Sequence, residues 1–205
     1  MGTGASCTLT LTIARSGDYP AKTSTKIITQ KPCANGGVCA LGDIGPGGGV
    51  IFYKDLTRAV GSQYFEAACA GWSDGTCGGS DLTDPTAVWG CFGTPIAGAD
   101  GTDIGTGEQN TTDIVTGCTT VGIAARRAKN LVLGGQSDWF LPSKDELNQM
   151  YLRRTAIGGF STGTGGYWSS SEYFAPAAWM WNFDNGGQYP NSKNSTHYVR
   201  PVRAF

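Results

Sequence analysis

The final third of the chain mixes large rings with short polar side chains, and that mixture narrows what it can build. Trp139 to Leu147 reads Trp-Phe-Leu-Pro-Ser-Lys-Asp-Glu-Leu, and Tyr167 to Tyr173 reads Tyr-Trp-Ser-Ser-Ser-Glu-Tyr. The chain closes with Tyr198-Val-Arg-Pro-Val-Arg-Ala-Phe205. Between the last two blocks lie Trp179, Trp181, Tyr189 and a crowd of Asn, Ser and Asp residues, with His197 as the single histidine. Flat rings bury area at low entropic cost, and short polar groups adapt their hydrogen bonds, so the stretch reads as a contact surface. Within it, Ser143-Lys-Asp-Glu146 is a capping box: the Ser143 hydroxyl accepts from the Glu146 amide and Glu146 reaches back. It predicts a helix through Leu147, Met150 and Tyr151 to about Arg154.

The 32 glycines show no every-third-residue period, which excludes a collagen helix and points to a loop-rich fold. A net charge of −1 gives no reason to expect nucleic acid or an anionic membrane as partner. No stretch reaches the roughly 18 apolar residues of a membrane helix, so direct membrane insertion is not expected. Met1 to Ser6 lacks the basic segment and apolar run of a signal peptide, so any leader or anchor is expected outside this sequence.

Seven cysteines, Cys7, Cys33, Cys39, Cys69, Cys77, Cys91 and Cys118, include no Cys-x-x-Cys pair, which argues against zinc and for disulfides in an oxidising compartment. Cys69–Cys77 would close a short Gly-rich loop, and Cys91–Cys118 would tie a longer one to a helix. Cys33–Cys39 and Cys7–Cys33 compete, and one thiol is left over. A secreted or cell-surface location follows as the expectation.

Alternation in Thr8 to Ile13 and a second short strand at Lys26 to Thr29 predict a β-hairpin over residues 7–30, with a turn through Ser16 to Ala21. Residues 1–40 are read as an extension or the tail of an upstream domain, and 41–205 as the main domain. Gly42 to Gly49 resembles a phosphate loop, but no Gly-Lys-Ser/Thr follows, so a tight turn feeding the strand Val50 to Tyr53 is expected. Tyr64 to Ala68 reads as the next strand. Residues 70–110 are irregular. Trp72 and Trp89 are expected to anchor them in a shared apolar pocket. The carboxylates Asp74, Asp81, Asp84, Asp100, Asp103 and Glu108 match no EF-hand but leave room for a structural calcium ion between loops. From Thr112 the spacing turns helical, with Gly117 and Gly122 dividing a short helix from a longer one that ends at Gly134-Gly135. Short strands are expected near Tyr167–Ser170, Ala178–Phe183 and Tyr198–Arg203. In the second, alternation puts Trp179, Trp181 and Phe183 on one face and Met180 and Asn182 on the other. Pro201 argues for an edge or a bulge in the third.

The blocks Gly45 to Tyr53, Asp138 to Leu147, Tyr167 to Glu172 and Val199 to Arg203 resemble the family of the C-terminal domain of Legionella collagen-like protein, over roughly residues 41–205. The resemblance implies an α+β, C-type-lectin-like fold: two main helices, small antiparallel sheets and long loops. It also implies adhesion or ligand binding at a bacterial surface, in some members as a trimer. A second resemblance is to variable proteins of diversity-generating retroelements, which use this fold and scatter Asn codons into Asn, Ser, Thr, Tyr, His and Asp. Residues 184–198 are rich in these types.

The expected function is therefore a binding module without a catalytic or cofactor role, whose partner is a protein or glycan on another cell or surface. The candidate ligand-binding residues are Tyr173, Phe174, Trp181, Asn182, Asp184, Asn185, Tyr189, Asn191, Asn194 and His197. The candidate framework residues are Cys69, Cys77, Cys91, Cys118, Trp139, Trp168, Trp179, Arg200 and Arg203, with Glu172 placed to pair with Arg200 or Arg203. Two alternatives are weaker. The formylglycine-generating enzymes share the broad fold but use late cysteines, and none lies beyond Cys118 here. His197 alone, without a Gly-x-Ser-x-Gly elbow, makes a poor hydrolase base. A calcium-dependent lectin would use a Trp-Asn-Asp element similar to Trp181-Asn182-Phe183-Asp184, but its partner triplet is absent.

Overall fold

The computed structural model describes residues 6–13, 22–29, 33, 37–77, 82–163 and 165–205. The chain start, the turn expected at 16–21 and Asp81 lie outside them.

Strands β1 (Ser6–Ile13) and β2 (Lys22–Thr29) pair antiparallel from Ser6↔Thr29 to Ile13↔Lys22, as a two-stranded sheet of their own. A Cys33–Cys39 disulfide follows, which settles the competition with Cys7–Cys33. Both half-cystines are buried beside Ile51, with Tyr64 and Phe205 packed on them. The two other expected disulfides, Cys69–Cys77 and Cys91–Cys118, are both formed.

A three-stranded sheet runs in the order β10 (Val202–Ala204), β4 (Tyr64–Ala67), β3 (Val50–Lys54), so the last residues return to the first strands of the main unit. The glycine run before β3 is a turn, as expected, and its backbone cradles a carboxylate of the protein itself. Gly47 N–H (2.9 Å) and Gly49 N–H (3.0 Å) donate to Glu66 on β4. A Cβ at Gly47 would stand 2.7 Å from both the Glu66 carboxylate and the Trp139 ring, so close approach forces glycine there.

The larger sheet has the order β5 (Thr86–Val88), β9 (Thr196–Tyr198), β6 (Tyr167–Phe174), β7 (Ala177–Trp181), β8 (Gln188–Ser192). Only β6 and β9 pair parallel. The strand expected over Tyr198–Arg203 is thus two strands in two sheets. Pro201 lies at the corner between them, where it needs no N–H and its carbonyl accepts from Ala68 N–H (2.9 Å). Residues 184–198, the stretch rich in Asn, Ser and Tyr, contain both β8 and β9.

Four helices complete the described fold: α1 (Gly107–Gly117), α2 (Ala124–Lys129), α3 (Lys144–Leu152) and α4 (Arg154–Ile157). The break between α1 and α2 falls where Gly117 and Gly122 predict it, but the first helix is the longer one. Gly134 and Gly135 do not end α2, which stops at Asn130. They take φ of 60° and 76° in the tight turn that closes the Leu133–Gln136 bridge. The capping box at α3 forms in full: Ser143 Oγ accepts from Glu146 N–H (3.2 Å), and Glu146 accepts from Ser143 N–H (2.7 Å).

The larger sheet is covered on both faces. On one side Trp168 and Met180 join Trp72, Trp89, Ile114 and Ala128 in a core that α1 and α2 cap. On the other, Tyr167 and Trp181 join Phe65, Leu147, Met150 and Phe183 under α3. The result is a mixed helix-and-sheet fold with small sheets, consistent with the α+β expectation.

Candidate functional site

The alternation rule places Trp179 and Trp181 on one face of β7, and the structure keeps that. It does not leave that face open, because α3 lies across it. The Trp181 ring packs 5.4 Å from Tyr151 and is only 7% exposed. Phe183 is buried against the same tyrosine (5.6 Å). Trp181 is therefore a core residue, not a ligand contact. Trp179, expected as framework, sits beside the first residue of α3 and stays half-exposed, with the Lys144 ammonium 4.6 Å above its ring.

Three of the four exposed rings of the described residues gather at the β6–β7 turn, whereas Tyr189, opposite Met180, lies toward the other end of the sheet. Tyr173 (52% exposed) and Phe174 (53%) end β6, Tyr189 (47%) lies on β8, and Phe92 (54%) belongs to an adjoining loop. The Tyr173 ring stands edge-on to Phe174 (5.2 Å) and Trp179 (4.9 Å), which holds the cluster at fixed orientation. Gly93 N–H donates to Ala175 O (3.1 Å), which docks the Phe92 loop on the β6–β7 turn. The Cys91–Cys118 disulfide and the left-handed backbone of Cys91 (φ 48°) fix that loop from the other side. Phe92 carried no signal in the sequence, because it reaches the patch only through this tertiary docking.

The asparagines mostly shape the turns. Asn182 Oδ1 accepts from Asp184 N–H (2.8 Å) and Asn185 N–H (3.3 Å), and Asn185 Oδ1 accepts from Gly187 N–H (2.9 Å). Asn191 Oδ1 accepts from Ser192 N–H (2.7 Å), and Asn194 Oδ1 accepts from the Ser192 hydroxyl (2.7 Å). Asp184, Asn185, Tyr189 and Asn194 are exposed, while Asn182 and Asn191 are half-buried.

His197, expected as a ligand contact, is buried instead. It sits in β9 between β5 and β6, 7% exposed, with its ring at 87° to Trp168 (4.6 Å). Its Nδ1 accepts from Gly166 N–H (3.3 Å), and burial pushes its pKa down, so the neutral imidazole with its proton on Nε2 is the stored form. Nε2 has no hydrogen-bond partner among the described residues. In the Trp-Asn-Phe-Asp element, Trp181 and Phe183 are buried, and Asn182 Oδ1 accepts from the amides of its own turn. Among the described residues no group of three or more His, Cys, Asp or Glu side chains stands close enough to share a metal ion.

Buried ion pairs fasten the strands, with other partners than those expected. Glu172 meets Lys193 (3.2 Å), and neither arginine. Lys193 is fully buried, donates to Thr94 O (2.9 Å) and lies 4.4 Å over the Trp89 ring. Burial pulls its pKa down while Glu172 opposes the shift. Arg200 bonds Asp84 (Nε to Oδ2, 2.8 Å), which also accepts from the Tyr167 hydroxyl (2.8 Å). Arg203 pairs with Glu66 (3.0 Å) and with Asp138. Lys193 carried no signal in the sequence, and Asp84, read as one of several loop carboxylates with room for calcium, is instead the partner of Arg200. Trp139 and Trp168 are fully buried. A separate cleft of about 410 Å³, lined by Trp72, Asp74, Arg127, Asn130 and Leu131, contains none of the predicted site residues.

The family model described as the Lcl C-terminal domain matches residues 97–203. The match covers α1 to α4, strands β6 to β9 and most of β10, and so includes the aromatic patch apart from Phe92. No curated protein sequence matches the chain. With just over half of its length inside that model, the chain belongs to the Lcl C-terminal domain family, that of the C-terminal domain of Legionella collagen-like protein.

Proposed function

We propose that this chain is the ligand-binding module of a secreted or cell-surface protein, with a C-type-lectin-like scaffold carrying the aromatic patch at one end of its larger sheet. The observation that carries the reading is the distribution of rings. Phe92, Tyr173, Phe174 and Tyr189 are the aromatic side chains more than a third exposed among the described residues, and all four lie on β6, β8 or the loop docked against them. A fold that buries Trp89, Trp139 and Trp168 completely has no stability reason to leave these outside. The ligand is a protein or a glycan, met by Phe92, Tyr173 and Phe174 with Asn194 at their polar rim. The reading assigns no bond-making step: His197 is neutral and walled in by Trp168. If the carboxyl-terminal segment is diversified, the positions free to vary are the exposed ones, not His197.

The test is a glycan array alongside a surface-protein pull-down, run with the parent chain and Tyr173→Ala/Phe174→Ala. Loss of two central rings should weaken capture by at least about 30-fold, the weight of one strong contact residue, with the melting temperature unchanged. Equal capture by both chains would refute the reading.

A further inference from the structure

Strand β8 is the outermost strand of the larger sheet and exposed in part, so its free edge is the natural place for another strand to add. The register shows what that edge offers. Lys193 N–H donates to Pro176 O (2.9 Å) and Asn182 N–H to Gly187 O (2.9 Å), each between residues directly opposite one another. Antiparallel pairs alternate between bonded and non-bonded, so Tyr189 and Asn191 turn their backbone groups inward to β7. Gln188, Pro190 and Ser192 turn theirs outward.

Those three outward positions are almost empty of pairing capacity. Pro190 has no N–H. The Ser192 N–H is taken by the Asn191 side chain (2.7 Å), and the Ser192 carbonyl by Ser195 N–H (2.9 Å). What remains is the N–H of Gln188 and the carbonyls of Gln188 and Pro190, too little for a ladder. We infer that Pro190, Asn191 and the Ser192–Ser195 turn close the β8 edge to strand addition, so that this end of the molecule meets partners, a second copy of itself included, through side chains and not through backbone pairing. An extended peptide strand is thereby excluded as the ligand of this edge.

Amide hydrogen exchange on the full chain tests the first part. Asn191→Ala should speed exchange at Ser192 roughly fivefold, the weight of one net hydrogen bond. Sedimentation velocity tests the second. Pro190→Thr/Asn191→Ala restores one edge N–H and frees another, and should add a species of twice the parent's mass that grows with concentration. Unchanged exchange at Ser192 in Asn191→Ala would overturn the inference. So would a natively folded double variant, judged by near-ultraviolet circular dichroism, that keeps the parent's mass up to its solubility limit.

Discussion

Replacing Asp84 by alanine should be among the most damaging single changes in this chain, although the residue sits in a segment without regular structure. Its partner Arg200 is fully buried, and so is Asp84. The guanidinium keeps the carbonyls of Ala68 (3.1 Å), Gly158 (3.4 Å) and Gly159 (2.8 Å) and the Phe160 ring (4.6 Å), but it would lose its carboxylate partner among the described residues. The Tyr167 hydroxyl would lose its acceptor at the same time. Removing one member of a buried pair costs about 3–5 kcal/mol, because the other charge stays behind uncompensated. At about 2–4 °C per kcal/mol for a chain of this size, the melting temperature should fall by about 6–20 °C. Urea and thermal unfolding of Asp84→Ala, Arg200→Met and the double variant measure it. The double variant should be less destabilised than the sum of the singles, since it leaves no orphaned charge. A loss below about 1 kcal/mol in Asp84→Ala, or strict additivity of the two changes, would refute the argument.

Trp181→Ala should cost about 3–5 kcal/mol of stability, as for other buried aromatics, whereas Tyr173→Ala should leave the urea midpoint nearly unchanged; the same unfolding assay separates them. Burial pushes Glu146, the capping-box carboxyl, up to about 7 in the fold. Since its unfolded value is lower, its contribution to stability is fully present below about pH 4.3, and is lost as pH rises through about 7, by about 1.4 kcal/mol for each tenfold gain in proton affinity on folding. Glu146→Gln should flatten unfolding free energy across that window, and a slope that persists would assign the effect elsewhere. Removing the Cys91–Cys118 link with paired alanines releases a loop of 27-residue separation, which should cost about 3.5 kcal/mol by loop entropy. Differential scanning calorimetry of the paired variant checks this, and it should also increase hydrogen exchange in the Phe92 loop.

Local chemistry was legible in the sequence wherever the deciding partner lies a few residues away. Ser143 and Glu146 are three apart, so the capping box and the start of α3 could be read directly. Cys69–Cys77, eight residues apart, could be read as closing a short loop, whereas the choice between Cys33–Cys39 and Cys7–Cys33 waited for the fold; the hairpin of β1 and β2 follows from alternation. The motif blocks likewise named the family. Where the deciding partner is distant, only the folded chain could answer. Alternation assigns Trp179 and Trp181 to one face of β7, but it says nothing of whether a helix will cover that face; α3 covers one ring and stops short of the other. His197 looks like a loop residue until β9 slots between β5 and β6. The buried acids and bases chose partners across 21 to 137 positions, because charge pairing inside a core is decided by which side chains are desolvated together, and burial is a property of the packed molecule rather than of any segment.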